Sequence, residues 1–491
     1  MHEKAGDLLI LGSRIAFLAL VVFAAANFGL TRESGIAAFN AGAGGIFVLW
    51  LIGCALAGRR PAVGGIPLTL SLAILAFGWL SAGTALLEIR LADQDVPDWL
   101  NNLFLYFAAY HADLAWAAML RTTALLAAFV MALDLFASPT WGRALLTTLG
   151  LTGLSMVAFV FLQKMTGSLL ILHAQDGGIA LSFGVYRYWG NAASFLNLTW
   201  PIVAAIAVHT GIRKARGWSL WMTAAIATFA GLYINVSKAG HVLGVIGLIF
   251  FSVLAFVYVS RIKQLSRTTI PWPTLATIAV AAGLLAGALF YGINWNRWDE
   301  IKTAGWNENP RPIAYEHFAK IIPDAGWTGF GPGNFQRIYG KYIKDAPIVQ
   351  ATPFWVAHED YIQTLVEWGW AGTTLWGILF LPAAIRLATR SLGKRENRRS
   401  SHDRDRDYEF DWRDKLLTAA KALPAPSNPL VQAAGLTSIV LTALHATVDF
   451  PMQIESTQFY FLLWIALGWQ PGDGKSARRP VPTGDDDNFS D

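Results

Sequence analysis

A succession of uninterrupted apolar runs constrains this chain more than any other feature. Leu8 to Leu30 and Ile66 to Leu87 each exceed the ~18 residues that mark a membrane-spanning helix. The bilayer core offers the backbone no hydrogen bonds, so such runs must satisfy their own N–H and C=O groups as helices. Runs of this kind recur at 8–30, 36–57, 66–87, 113–135, 144–163, 191–210, 218–236, 240–260, 272–292, 364–386, 430–448 and 456–470. They predict an all-α polytopic membrane protein with about twelve helices. Charged residues make up only 14% of the chain, against roughly 25% in soluble domains, which excludes a soluble globular enzyme.

The formal net charge is +5, but the basic residues sit between the apolar runs, where they orient the chain in the bilayer. With the N-terminus inside, Arg59, Arg60, Arg143, Arg213, Lys214, Arg216, Arg261, Lys263 and Arg267 all fall on the cytoplasmic side, and so do both termini. Nucleic-acid binding is therefore discounted; the lipid bilayer is the partner these charges face. The lone Cys54 lies within an apolar run and permits no intramolecular disulfide. The first run is too long for a signal-peptide core and reads as a retained anchor.

Three external segments are longer than turns: about 88–112, about 164–190 and about 293–363. The resulting division is 1–180, N-terminal helices; 181–292, core helices; 293–363, a large periplasmic loop; 364–470, C-terminal helices interrupted by a charged cytoplasmic loop near 387–428; and 471–491, a cytoplasmic tail. The large loop holds Trp295, Trp298, Trp306, Trp327 and Trp355 with several prolines and glycines, a composition that suits a compact, partly helical cap. Pro312 to Ile322 reads as a short amphipathic helix within it. Lys394 to Lys415 mixes dense charge of both signs without an apolar period and reads as a solvated loop.

Ionisable groups at or near membrane depth are costly, and each needs a reason. Arg121 lies a third of the way into the fourth run and Asp134 near its cytoplasmic end, where pairing or snorkelling accounts for Asp134. Arg187, in a cluster with Tyr186, Tyr188 and Trp189, is either an interfacial anchor or a guanidinium able to grip a phosphate bidentately. Lys238 begins a helix, where a cation gains nothing from the dipole, so an anion nearby would compensate. His241 shares its face and suits packing. At the return of the large loop, Asp360, Thr364 and Glu367 recur at i, i+4 and i+7, forming one polar stripe with the carboxylates about 10 Å apart along a helix. His358 stands at its mouth, where an imidazole can abstract a hydroxyl proton at neutral pH. A divalent metal on His358, Glu359 and Asp360 is the weaker alternative. Gly329 to Phe335 lacks the Lys-Ser/Thr of a P-loop and reads as a turn. His445, Asp449 and Glu455 flank Phe450-Pro451 at another external corner.

Three passages together resemble the O-antigen ligase and O-antigen polymerase family, bacterial membrane glycosyltransferases of the C-type fold. They are Arg187-Tyr188-Trp189-Gly190-Asn191 followed by Pro201; Ser237-Lys238-Ala239-Gly240; and Arg311, Gly329-Phe330-Gly331, then His358-Glu359-Asp360-Tyr361 to Glu367-Trp368-Gly369. The corner His445 to Ile454 is also similar. Two positions depart from the family pattern: Glu359 stands where Asn is common, and Lys238 where Arg is usual.

The resemblance implies glycan transfer from a polyprenyl (undecaprenyl) diphosphate carrier to a glycan or lipid hydroxyl, on the periplasmic face of the inner membrane, without cofactor or metal. Arg187, Lys238 and Arg311 would bind the diphosphate. His358 would be the base, oriented by Asp360 or Glu367, with inversion at the sugar carbon. Arg121, His241, Glu359, Tyr361, His445 and Asp449 would contact the acceptor or support the site. The alternative class is a transporter or flippase of a lipid-linked anionic glycan. Against it, the late external loop has no counterpart in the first half of the chain.

Overall fold

The computed structural model describes residues 2–92, 96–166, 183–266, 310–351, 354–393 and 422–470. The described residues are about 80% helical and contain no strand beyond an isolated bridge between Phe183 and Tyr186. The long apolar helices are α1 (His2–Ala26), α2 (Glu33–Leu56), α3 (Gly65–Leu91), α5 (Ala112–Ala137), α6 (Pro139–Thr166), α7 (Trp189–Ile212), α9 (Lys238–Ser266) and α14 (Asp360–Leu392), with the short α4 (Asp98–Phe107) between α3 and α5. Among the described residues, these eight are long and apolar enough to cross a membrane. The shorter α8 (Trp218–Ile234), α15 (Pro429–His445) and α16 (Glu455–Trp469) occupy three more of the anticipated positions. The anticipated helix at 272–292 lies outside the described residues, as do Trp295, Trp298, Trp306 and the charged stretch from Lys394 to Lys415.

Burial divides the helices into two groups. Helices α7, α15 and α16 are buried on nearly every face, as expected for helices surrounded by protein rather than lipid. Helices α2 and α9 instead expose apolar side chains such as Val48, Leu51, Ile249 and Phe256, which suits a surface bathed in hydrocarbon. α5 packs on α2, α3 and α16, while α7 packs on α6, α8, α9 and α15, and α16 touches both α5 and α7. At the far end from the cap, Arg14 and Asp134 form a buried pair at 2.7 Å, and the Ala62 N–H adds a bond to the same carboxylate. Pairing thus accounts for Asp134.

The described part of the large loop forms a cap with its own core. α10 (Pro310–Ala319), α11 (Ile322–Ala325), α12 (Phe335–Ile338) and α13 (Pro347–Gln350) gather Ala314, Phe318, Phe335, Val349 and Phe354 around Val366 of α14. Phe318 meets Phe335, Tyr339 and Phe354 edge to face, the geometry that aromatic quadrupoles prefer. The short helix read at Pro312 to Ile322 is α10 followed by a turn. Trp327 and Trp355 stay exposed on the cap, as interfacial indoles do.

The cap is joined to α14 through backbone. Phe330 N–H donates to Val366 C=O, Trp370 N–H to Gly326 C=O and Ala371 N–H to Trp327 C=O. Gly329 and Gly369 both have positive φ. A Cβ on Gly329 would lie 2.4 Å from the Glu367 carbonyl oxygen, and one on Gly369 would lie 2.4 Å from the Gly329 nitrogen. Only residues without side chains let these two backbones approach so closely. The glycine-rich passage is therefore a turn docked on a helix kink.

Candidate active site

The polar residues converge where three segments meet: the approach to α7, the cap's return into α14, and the corner between α15 and α16. His358 stands two residues before α14 and has a φ of 53°, a left-handed conformation that costs energy unless its surroundings impose it. Two contacts do so. The Tyr315 hydroxyl donates to the His358 carbonyl at 2.6 Å, and the ring packs edge-on against Phe450 at 4.6 Å between centroids. Phe450 is itself stacked on Tyr188.

His358 Nδ1 lies 3.2 Å from Asp449 Oδ1. With Nδ1–H donating to the carboxylate, Nε2 becomes the basic nitrogen, and no hydrogen-bond partner occupies it among the described residues. The other carboxylate oxygen accepts from the Tyr188 hydroxyl at 3.3 Å and lies 3.8 Å from His445 Nε2. His445 is fully buried and its Nδ1 meets Ser194 Oγ at 2.8 Å, so it supports Asp449 from beneath. Burial alone would raise the Asp449 carboxyl, but the His358 hydrogen bond and the charges of His445 and Arg311 outweigh it and hold the group below its ordinary range. It remains an anion at neutral pH. Gly190 makes room for this arrangement, since a Cβ there would lie 2.4 Å from Asp449 Oδ2.

Arg311, at the start of α10, donates to the Val448 carbonyl at 3.2 Å and to the Tyr188 hydroxyl at 3.4 Å. Burial raises the Tyr188 hydroxyl to about 12, with the Asp449 charge adding to the shift; burial also raises Tyr315 to about 12. Both phenols therefore act as neutral donors. Arg187 precedes Tyr188 and is exposed. Lys238 opens α9 three residues after Asn235, whose side-chain amide donates to the Trp189 carbonyl at 2.9 Å. The three cations singled out in the sequence thus lie on segments that meet at the start of α7.

Two carboxylates are placed differently from the expectation. Asp360 and Glu367 do lie on one helix, but neither orients His358; Asp449 does. Asp360 accepts from the Met452 N–H at 2.8 Å and from Gln453 Nε2 at 3.0 Å, fastening the corner that carries Asp449. Glu367 accepts from the backbone N–H groups of Gly333 and Phe335 and from Gln363, fastening the glycine turn. Both are positioning residues: a carboxylate near backbone corners satisfies orphan N–H groups.

The supporting residues also resolve. Glu359 is the N-cap of α14, its carboxylate accepting the Ile362 N–H. This is the work an asparagine does well, and it gives a physical reason for the departure at this position. Burial pushes the Glu359 carboxyl up. Tyr361 ties α14 to α15 through the Ala443 carbonyl at 2.9 Å. His241 meets the Asn235 carbonyl at 2.7 Å and stacks on Tyr233, as a packed histidine does. Tyr188, Tyr315 and Phe450 carry no motif of their own. The flanking Tyr-Trp and Asp-Phe-Pro passages are the sequence signals that point to Tyr188 and Phe450. No group of three or more His, Cys, Asp or Glu among the described residues is arranged to hold a metal ion.

Fold and site define a class: a multi-pass helical membrane protein with a histidine–aspartate pair held under a small cap beside clustered cations. Residues 223–377 match the family described as O-antigen ligase, in line with the resemblance carried by the motifs. The match includes Lys238, Arg311 and His358, whereas Arg187 and Asp449 lie outside it. Comparison with curated proteins finds no match.

Proposed function

We propose that this protein transfers a glycan from a polyprenyl (undecaprenyl) diphosphate carrier to a hydroxyl of a glycan or lipid acceptor, at the periplasmic face of a bacterial inner membrane. The observation that carries this reading is the His358–Asp449 pair, which leaves one imidazole nitrogen open beside Arg311. His358 Nε2 takes the acceptor hydroxyl's proton as that oxygen attacks the anomeric carbon. The bond from that carbon to the diphosphate oxygen breaks, and the diphosphate leaves with the electron pair. Asp449 stabilises the imidazolium that forms. Arg311, Arg187 and Lys238 stabilise the charge developing on the leaving group, the electrostatic contribution that is usually the largest. Direct displacement from the opposite face inverts the sugar carbon.

The test uses purified protein in nanodiscs with a polyprenyl-diphosphate glycan and a series of acceptors, following release of polyprenyl diphosphate with and without EDTA. Acceptor-dependent release that survives EDTA and disappears in His358→Ala and Arg311→Ala is expected, and the acceptor that works identifies the acceptor class. Absence of release with every acceptor, together with movement of the intact lipid-linked glycan across a vesicle membrane, would replace the reading with transport.

A further inference from the structure

Arg121 takes no part in the site above. It sits on α5 about 14 Å along the axis from the helix start, where an ionised side chain is costly unless something compensates it. Among the described residues no hydrogen bond or ion pair engages it. Its field reaches Glu367 and Glu455, yet neither carboxylate comes within ion-pair distance. The Glu367 oxygens are already taken by Gly333, Phe335 and Gln363.

Two cavities meet at this guanidinium. One is a chamber of about 120 Å³, mostly apolar in lining but with Arg121, Thr364, Glu367, Gln453 and Gln458 in its walls. The other is an apolar groove of about 990 Å³ along α2, α3 and α5, lined by side chains such as Ile36, Phe47 and Leu72. Both include Ala118, Arg121 and Gly333 in their walls. Thr364 and Gln453 add polar side chains to the chamber wall. An occupant must therefore supply anionic oxygens to Arg121, a small polar group to the chamber and hydrocarbon to the groove.

We propose that this is a binding site for an anionic phospholipid with a small hydroxylated headgroup, of the phosphatidylglycerol type. The phosphate sits on Arg121, the glycerol hydroxyls lie in the chamber and the acyl chains lie along the groove. The chamber is too small for an oligosaccharide. It is also screened from His358 by Asp360 and its bonds to Met452 and Gln453, so its occupant is a resident lipid rather than a substrate. Because Gln453 walls the chamber and also holds Asp360, the lipid headgroup braces from below the corner that carries Asp449.

The experiment measures lipid retained on the purified protein by native mass spectrometry, from nanodiscs mixing phosphatidylcholine and phosphatidylglycerol. Arg121→Gln, Arg121→Lys and Gly44→Trp are compared with wild type. Gly44 lines the groove, and a Cβ there meets nothing within 4 Å, so this variant blocks the groove without crowding the fold. Wild type is expected to prefer phosphatidylglycerol by about 10-fold, about 1.4 kcal/mol, because both lipids bring a phosphate to Arg121 but only phosphatidylglycerol keeps a net negative charge and sets no trimethylammonium beside the guanidinium. Arg121→Gln should abolish the preference, Arg121→Lys should retain part of it, and Gly44→Trp should lower total retention with an unchanged melting temperature. The proposal is overturned if wild type shows no preference, if Arg121→Gln keeps it, or if added polyprenyl diphosphate displaces the lipid from wild type, which would make this a substrate pocket. The readout needs no turnover, so it stands whatever the transfer assay returns.

Discussion

Two polar pairs, one ionic and one a histidine–carboxylate hydrogen bond, lie in different regions of this molecule, and they are built to opposite ends. Arg14 and Asp134 meet at 2.7 Å with side chains 7% and 2% exposed, and the Ala62 N–H takes the second oxygen. His358 and Asp449 meet at 3.2 Å with side chains 21% and 7% exposed, and the imidazole keeps one nitrogen unclaimed. The carboxylate of the first pair has both oxygens engaged, and the pair serves to hold helices together. The second is held by its surroundings yet left incomplete toward the outside, which is what a proton-transfer group requires.

The sharpest way to break this contrast is His358→Ala. It should lower transfer by roughly 10²–10⁴-fold, the usual contribution of a general base, with little change in melting temperature. Asp134→Ala should do the reverse, because stranding a buried guanidinium costs about 3–5 kcal/mol. A detergent thermal melt should therefore fall steeply while turnover per folded molecule stays near wild type. Equal losses of turnover in both variants would erase the distinction.

Asp449→Asn probes the orienting half of the second pair, and about a 10²-fold loss in turnover is expected with donor affinity preserved. It has a pH signature as well. The folded carboxyl lies below its ordinary range, so the stability it contributes is complete above the unfolded value near pH ~4 and is lost as pH falls through the lower folded value. Melts of wild type and Asp449→Asn should thus converge only below that window; convergence already at pH 6 would contradict it. The smallest effect belongs to Glu359. Replacement by Ala should cost about 1 kcal/mol as a lost helix cap, and replacement by Asn should restore it; a stability for Asn as low as for Ala would refute the capping role.

The membrane helices were legible because hydrophobic burial writes itself as long runs. α8, α15 and α16 were also found by this rule, although they are too short to qualify as spans by length. His358 was legible because an imidazole beside carboxylates at a membrane re-entry has few other uses. Its partner was not, since Asp449 is 91 residues away and no local period links the two. The stripe of Asp360 and Glu367 was located correctly and its task misread: periodicity reports that a face is polar, but not whether its carboxylates meet a substrate or a backbone N–H. Arg121 shows the same limit, its cost being visible in the sequence and its two cavities only in the packing.

The backbone bonds between the glycine turn and the kink of α14 have a mechanical consequence. A lid needs a hinge, and residues 326–330 and 366–371 are stitched main chain to main chain across that seam, with the Glu367 carboxylate adding bonds to Gly333 and Phe335. The described cap and α14 therefore move as one rigid anvil. If the protein transfers a lipid-linked glycan as proposed, that glycan crosses a fixed surface, and the travel of each cycle belongs to the substrate and not to the protein.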